Sequence, residues 1–253
     1  MRHYFELVWY KAYADLRTEA ARAYLGMLWW VLEPLLYMVV FYMVFGHLLQ
    51  RGGPGFVSFL LCGLVVWRWF ANSVTRGATA ISSNAGLISQ VYLPKYLLPP
   101  MILVANTLKF LVVFLLLLAY LIIVGSSLHW SWIALPILLA TQLLLITACA
   151  SLLAVFTPFF PDLKMLIDNG LTLLLFMSGV FYDISSFPEQ IQFYFRLNPM
   201  AMLIEGYRAV LLKGIWPDWA ALGTTVLVSL FAICAAVLLL IRYDRIYPKV
   251  VVT

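Results

Sequence analysis

The apolar residues of this chain fall into long runs that short polar stretches separate. A helix needs roughly 20 mostly apolar residues to cross about 30 Å of hydrocarbon. Runs of this kind lie at residues 26–48, 56–74, 97–124, 133–157, 165–182 and 220–241. Lipid offers no hydrogen-bond partner to bare backbone groups, so each run is predicted to be helical. The pattern predicts an all-α polytopic membrane protein, a single transmembrane domain over residues 1–253 with six transmembrane helices.

Residues 1–25 show another pattern, in which apolar side chains recur at helical spacing among charged ones. Phe5, Val8, Ala12 and Leu16 carry this spacing, and amphipathic Trp and Tyr rings stand between them. We expect an interface helix that lies along the cytoplasmic membrane surface. A plain solvated helix at the N-terminus is the alternative.

The segment at residues 183–218 is too long for a tight turn and too apolar for a solvated loop. Asn198 followed by Pro199 supplies a capping residue and a proline at the first helical position. The lysine and glycine at residues 213–214 then supply a basic last turn and a stop. We expect a short helix between these signals and another that begins near Pro188. Neither is long enough to span, so the pair is predicted to be re-entrant and external.

Composition and charge agree with a membrane protein and suggest its orientation. Hydrophobic residues make up 64% of the chain and charged residues 11%, against about 45–50% and about 25% in soluble domains. Basic residues in membrane proteins gather on cytoplasmic flanks. One set of flanks holds Arg2, Lys11, Arg17, Arg22, Arg76, Lys95, Lys164, Arg242, Arg245 and Lys249, and the opposite set holds Arg51, Arg196, Arg208 and Lys213. We therefore expect both termini in the cytoplasm and no nucleic-acid partner.

The motifs of common enzymes are absent from the sequence. It contains no GxxxxGK[ST] phosphate loop, so it is not expected to bind ATP by that device. The three histidines lack metal-ligand spacing, and no serine stands in a GxSxG elbow. We expect no enzymatic activity and no metal or cofactor in this chain.

Four charged residues stand within or near apolar runs, namely Glu33, Arg68, Lys109 and Asp168, of which Arg68 lies at the cytoplasmic end of its run and can snorkel. A charge in a membrane costs several kcal/mol unless it is paired, hydrated or near an interface. These side chains therefore either line a hydrated pathway or pair with one another, and the sequence leaves both possibilities open. Pro34 follows Glu33 and could bend the first span.

Aromatic residues make up 16% of the chain. Aromatic rings can stack on sugar faces, and their N–H and O–H groups make replaceable hydrogen bonds, which suits a polymer that slides. An interface belt is the alternative explanation. The candidates for lining a canal or contacting substrate are Trp29, Trp30, Glu33, Tyr37, Phe41, Trp67, Phe70, Phe181 and Tyr182.

Four motifs are more specific than composition. Residues 24–36 read YLGMLWWVLEPLL, residues 84–95 read NAGLISQVYLPK, and residues 160–164 read FPDLK. The fourth motif is Leu197-Asn198-Pro199 followed by Glu205, Arg208 and Gly214. In this order, the motifs resemble those of the ABC transporter permeases that export polysaccharides such as O-antigen, capsule and teichoic acid. Gln90 and Pro161 depart from that pattern, since many relatives carry a basic residue and an arginine there.

The resemblance implies a half-transporter that pairs with a second copy of itself around a central canal. Two separate ABC ATPase subunits would bind ATP and Mg²⁺ and meet a coupling segment at residues 81–95. The N-terminal helix would brace the same junction, and external helices would gate the exit. The residues implied for ATPase coupling are Asn84, Leu87, Ile88, Gln90, Val91 and Tyr92, and those for the external gate are Asn198, Pro199, Glu205 and Arg208.

The implied substrate is a glycan on a polyprenyl diphosphate carrier in the bacterial inner membrane. Arg17 and Arg22 lie on the predicted cytoplasmic side, where they could attract the diphosphate. An ABC exporter of capsule, teichoic acid, drug or lipid is the nearest alternative. An ion-coupled secondary transporter is another, although the sequence shows no obvious inverted repeat of interrupted helices.

Overall fold

The computed structural model describes residues 2–22, 28–41, 43–44, 55–90, 93–125 and 129–251. Within these ranges the chain forms helices and turns, without a strand. The α-helices are α1 (Arg2–Arg22), α2 (Leu28–Phe41), α3 (Phe56–Ala78), α4 (Ala80–Ser83), α5 (Ala85–Gln90), α6 (Leu98–Ile123), α7 (Leu135–Phe156), α8 (Leu163–Met177), α9 (Glu189–Arg196), α10 (Pro199–Arg208), α11 (Trp219–Arg242) and α12 (Tyr247–Val251). Short 3₁₀ turns precede α6, α7 and α9, and a π-helical turn, Ala209–Lys213, follows α10.

Four helical stretches among the described residues are long and apolar enough to cross a membrane. They are Phe56–Ala78, Lys95–Ile123, Trp130–Phe156 and Trp219–Arg242. These four correspond to the second, third, fourth and sixth predicted spans. The prediction of an all-α polytopic membrane protein is therefore confirmed for the described part of the chain.

The other two predicted spans are shorter or only partly described. α2 covers the first part of the run at residues 26–48, and residues 45–50 lie outside the described ranges. α8 has 15 residues, which is about 22 Å at 1.5 Å per residue. The predicted helix over 165–182 is wrong at its end, because Gly179 adopts a left-handed conformation with φ +67° and turns the chain.

α3 occupies the centre of the packing. It lies against α6 and α7, while α8 and α10 pack on its remaining sides and α11 packs on α7. Gly77 lets α3 approach α7 closely, since a Cβ added there would lie 2.6 Å from the Cβ of Ala150. α11 leaves large apolar side chains such as Leu227 and Phe231 exposed, as expected of a helix that faces lipid.

The N-terminal helix α1 packs against α6 with the face that the spacing predicted. Ala12 is buried and Val8 and Leu16 are half-buried, whereas Trp9 and Tyr13 are exposed. The amphipathic arrangement is thus present on this helix.

The segment at residues 183–218 contains the two short helices that the capping signals predicted. The side chain of Asn198 accepts a hydrogen bond from the backbone N–H of Met200 at 3.0 Å, which caps α10. The π-helical turn then ends at Gly214, whose φ is +68°. Phe187, which precedes α9, packs against Phe195 of α9, with ring centroids 5.7 Å apart.

Candidate functional site

A cleft of about 310 Å³ opens between α3 and α8. Its walls combine apolar side chains with a stripe of polar ones. The residues that line it are Leu64, Trp67, Arg68, Ala71, Asn72, Thr75, Asp168, Leu171, Thr172 and Leu175. We call it the α3–α8 cleft.

The polar stripe follows from helical spacing on both walls. Arg68, Asn72 and Thr75 stand at i, i+4 and i+7 of α3, which places them on one face. Asp168 and Thr172 stand at i and i+4 of α8. The hydroxyl of Thr75 donates to the Asp168 carboxylate at 3.1 Å across the cleft. A helix long enough to span a membrane thus presents hydrogen-bonding groups to an open cleft.

The aromatic candidates for the canal divide into several environments. Trp67 lines the α3–α8 cleft, although its side chain is 4% exposed. Phe70 is buried in the main core, which argues against a lining position for it. Phe181 and Tyr182 are half-buried beyond the end of α8. The Tyr182 ring contacts Phe187 and Phe195, and its hydroxyl donates to the carbonyl of Phe176.

The remaining candidates near the N-terminus are described only in part. Trp29 is 44% exposed on α2, and Arg17 is exposed on α1. The side chains of Arg22, Trp30, Glu33, Tyr37 and Phe41 lie outside the described part of the structure. Lys109 is half-buried on α6, outside the α3–α8 cleft.

A buried arginine joins three elements at the far end of the cleft. Arg208 of α10 donates to the carbonyls of Gly179 and Val180 at 2.7 Å each, and to that of Phe59 at 3.3 Å. Its guanidinium also lies 3.4 Å from the centroid of the Phe59 ring. The carbonyls of Gly179 and Val180 follow the C-terminal end of α8, where a cation also suits the helix dipole. The carbonyl of Phe59 belongs to the first turn of α3. We call this arrangement the Arg208 clamp.

Asn198 strengthens the same connection from the other end of α10. Its amide donates to the Ser178 hydroxyl at 2.9 Å and to the Met177 carbonyl at 3.3 Å. Pro199, the first residue of α10, is half-buried. Glu205 is exposed and lines another cleft, between α10 and α11. Of the predicted gate residues, the structure therefore brings Asn198 and Arg208 to the end of α8 and places Glu205 elsewhere.

Asp183 and Lys213 pair beside the clamp at 3.9 Å. Burial raises the pKa of Asp183, but hydrogen bonds from the N–H and hydroxyl of Ser185 and the charges of Lys213 and Arg208 outweigh it. The net result is a pKa below the usual aspartate value. The carboxylate therefore stays ionised and holds the turn that follows α8.

A second apolar cluster lies at the opposite end of α3, around the predicted coupling segment. It consists of Ala80, Ile81, Ile88, Leu93, Leu98, Met101, Val155, Leu240 and Tyr247, and we call it the junction cluster. Val8 of α1 packs against it, and α12 contacts both α4 and α5. The N-terminal helix, the coupling segment and the C-terminal helix therefore meet at one place.

This cluster corrects one expectation for the coupling segment. Ile88 is 7% exposed and packs within its own chain, so its side chain does not face a partner. Leu87 is half-buried against the same cluster, and Asn84 donates to the Ala80 carbonyl at 2.8 Å. The exposed positions of α5 are Gly86, Ser89 and Gln90, and Val91 and Tyr92 lie outside the described residues.

A buried lysine fastens the end of the coupling segment to the last long helix. Lys95 is 2% exposed, and its Nζ lies 3.7 Å from Oδ1 of Asp244, which follows α11. The same oxygen accepts the backbone N–H of Lys95 at 3.0 Å. Tyr247 of α12 donates to the Val155 carbonyl at 3.3 Å. The first and last described helices, α1 and α12, and the described part of the coupling segment therefore pack at the same junction.

Sequence reasoning missed Asn72, Thr75 and Thr172 as site residues. The available signal was their helical spacing from Arg68 and Asp168, since polar side chains repeated at i, i+4 and i+7 mark one face of a helix. Lys95 was expected on a cytoplasmic flank, and its burial beside Asp244, 149 residues further along the chain, has no local signal in the sequence.

Comparison with known proteins agrees with this architecture. A model of the family of ABC-2 type transporters matches residues 8–212. The chain is 31% identical over 224 residues to the O-antigen export system permease protein RfbA of Myxococcus xanthus, covering 88% of this chain and 86% of that protein. It is 27% identical over 215 residues to the polysialic acid transport protein KpsM of Escherichia coli, covering 83% and 82%. With most of its length matched, the chain belongs to the ABC-2 type transporter family.

Proposed function

We propose that this chain is the permease subunit of an ATP-driven exporter that moves lipid-linked polysaccharide of the O-antigen type across the bacterial inner membrane. The observation that carries the proposal is the α3–α8 cleft. It presents Arg68, Asn72 and Thr172 to open space within a membrane protein whose relatives are named for O-antigen and polysialic acid transport.

In the proposed assembly, two copies pair so that their α3–α8 clefts line one canal. α2 and α8 complete six spans in each copy, and both termini lie in the cytoplasm. The exposed apolar residues of α8, including Met165, Leu166 and Leu173, support a partner surface beside the cleft. The canal needs replaceable hydrogen bonds for a sliding glycan, and amide and hydroxyl groups offer them.

Energy comes from two separate ATPase subunits that bind ATP and Mg²⁺. We place their contact on the exposed face of α5, at Gly86, Ser89 and Gln90, because Ile88 is occupied by the junction cluster. Motion of α5 would pass through this cluster to α6, α7 and α11. Arg17, on the exposed side of α1 and near the same end of the molecule, would attract the carrier diphosphate together with Arg22, which follows further along the same helix. Asn198 and Arg208, which hold the end of α8, and Pro199 and Glu205, which stand on the same helix α10, would form the external gate segment.

Deletion of the gene, followed by glycan labelling of intact and permeabilised cells, tests the cargo. Loss of surface polymer with carrier-linked chains accumulating inside supports the proposal. An unchanged surface with altered drug or lipid tolerance would instead favour an exporter of small molecules. Export that continues without any ATPase would favour an ion-coupled transporter.

Point variants test the cleft itself. Asn72→Leu and Thr172→Val should lower export several-fold at equal protein level, since they remove polar groups from the cleft. Thr224→Val is the matched control, because Thr172 and Thr224 both donate their hydroxyl to their own helix at 2.9 Å. Thr224 lies on α11, outside the cleft. Equal export by the Asn72, Thr172 and Thr224 variants would remove the cleft from the pathway.

A second pair of variants tests the coupling face. Ser89→Asp should reduce substrate-stimulated ATPase activity and export while the permease stays folded. Ile88→Asp should lower the stability of the permease itself, because it places a charge in the junction cluster. Normal coupling in Ser89→Asp with a correctly assembled complex would argue against this face.

A further inference from the structure

A second cleft, of about 350 Å³, opens between α10 and α11. None of the residues that line this space also lines the α3–α8 cleft, so the two clefts are distinct. Its mouth carries charges of both signs, including Arg196, Glu205 and Lys213, and its inner wall is formed by side chains such as Leu203 and Leu222. We call it the α10–α11 cleft.

The position of the cleft relates it to the membrane surface. It begins beside Asp218, the N-cap of α11, and reaches Thr225, which is about 10 Å along the helix axis. Trp216 and Trp219 stand exposed at the same level, with ring centroids 6.1 Å apart. Tryptophan gathers where lipid headgroups meet the hydrocarbon. The mouth of the cleft therefore lies at headgroup depth and its inner end at acyl-chain depth.

The charges at the mouth are arranged to recognise a molecule that carries both signs. Within the described part of the chain, Arg196 and Glu205 make neither a hydrogen bond nor an ion pair. Asp218 is committed to the N–H groups of Ala220 and Ala221 at 2.9 and 3.2 Å. The charge of Arg208 also acts on Glu205, but the Arg208 guanidinium is buried and donates to three backbone carbonyls. The exposed Glu205 carboxylate can therefore bind a cation at the mouth, and Arg196 can bind an anion such as a phosphate.

The inner wall is suited to acyl chains rather than to sugar. Thr225 is 8% exposed and its hydroxyl donates to the Ala221 carbonyl at 2.8 Å, so, unlike the exposed Thr172 of the other cleft, it offers little to a ligand. The other inner positions include Leu203, Gly206 and Leu222. A glycan would need several free hydrogen-bonding side chains there.

We propose that the α10–α11 cleft binds a zwitterionic phospholipid with a primary-amine headgroup, its phosphate at Arg196 and its ammonium at Glu205. The carboxylate distinguishes this headgroup from an anionic one, and hydrogen bonds from the ammonium distinguish it from a quaternary amine. The proposal requires that α11 spans the membrane, and it does not depend on which cargo is exported.

Lipid binding to the purified transporter, followed by native mass spectrometry in mild detergent, tests the proposal. Phosphatidylethanolamine should bind several-fold more tightly than phosphatidylglycerol or phosphatidylcholine. Glu205→Gln should lower phosphatidylethanolamine binding about 5–10-fold, a loss equivalent to about 1–1.4 kcal/mol. Glu189→Gln, which changes an exposed carboxylate of α9 outside the cleft, is the matched control and should bind normally.

Three results would overturn the assignment. The first is equal retention of the three lipids by the unaltered protein. The second is phosphatidylethanolamine retention that Glu205→Gln leaves unchanged. The third is displacement of the bound lipid by purified glycan, which would make the cleft a sugar site. Since the readout is lipid retention and not export, failure here would leave the proposed transport function intact.

Discussion

Removal of the Arg208 guanidinium should weaken the connection between α8, α10 and α3 more than any other single change near the cleft. Arg208→Met keeps much of the apolar stem and deletes the donors to Gly179, Val180 and Phe59. Arg208→Lys keeps the charge but replaces the planar fork by one ammonium, which cannot match two parallel acceptors. The lysine variant should therefore lie between the methionine variant and the unaltered protein.

The expected loss of folding free energy in Arg208→Met follows from the two short hydrogen bonds that the guanidinium donates. Each has a length of 2.7 Å, and a hydrogen bond to a charged group contributes about 1.5–3 kcal/mol. The gross loss is thus about 3–6 kcal/mol, and relief of the desolvation cost of a buried cation offsets part of it. We expect a net loss of about 2–4 kcal/mol. At roughly 2–4 °C per kcal/mol, Arg208→Met should lower Tm by about 5–15 °C.

Thermal unfolding of the purified transporter in one detergent, at a fixed scan rate, measures this loss. Arg245→Met, an exposed arginine near the other end of the molecule, is the control and should shift Tm little. Gly63→Ala provides an independent perturbation, because the added Cβ would lie 2.7 Å from Nη2 of Arg208 and displace it from Val180. A Tm for Arg208→Met equal to that of the control would refute the clamp as a stabilising connection.

Three further predictions concern other parts of the fold. Gly77→Ala should destabilise the protein by about 1–3 kcal/mol in the same Tm assay, because the added Cβ forces α3 away from Ala150. Gly223→Ala is its control and should be neutral or slightly stabilising, since a Cβ there has no neighbouring atom within 4 Å. Asp244→Asn should lower the free energy of unfolding by about 1–3 kcal/mol, because it removes the charge 3.7 Å from Nζ of Lys95. The double variant with Lys95→Met should lose less stability than the sum of the two single losses. The lowered pKa of Asp183 makes its ionised form stabilising above the pKa of an unfolded aspartate, and this contribution is lost as the pH falls through the lower folded pKa. The Tm difference between the unaltered protein and Asp183→Asn should therefore be present at neutral pH and vanish in strong acid; a constant difference would contradict it.

The long apolar helices could be predicted from sequence because their signal is local and strong. Hydropathy alone places α3, α6, α7 and α11, and the Asn198-Pro199 pair places α10. The end of α8 was not predicted, since the apolar run continues to residue 182 while the helix stops at Met177. The stop depends on the left-handed conformation of Gly179 and on the clamp that holds its carbonyl, and neither is visible in hydropathy.

The candidate site was predicted less well than the fold, for a physical reason. Burial decides whether an aromatic ring or an apolar side chain is available to a partner, and burial depends on contacts distant in sequence. Phe70 and Ile88 look available in the sequence, yet the first packs in the main core and the second in the junction cluster. Asn72 and Thr172 look unremarkable among apolar neighbours, but α3 and α8 bring them to one cleft.

The Arg208 clamp and the junction cluster lie at opposite ends of α3. This separation determines which end of the α3–α8 cleft can widen. Phe59 and Ala78 are 19 residues apart on that helix, a distance of about 28 Å. α8 is held firmly at its Met177 end through Asn198 and Arg208. Nearer the coupling segment, the Thr75 hydroxyl donates to the exposed Asp168 carboxylate across the cleft. A solvent-exposed hydrogen bond of this kind contributes about 0.5–1.5 kcal/mol, less than the buried charged contacts of the Arg208 clamp. The α3–α8 cleft is therefore expected to widen at the Asp168 end while the clamped end stays closed.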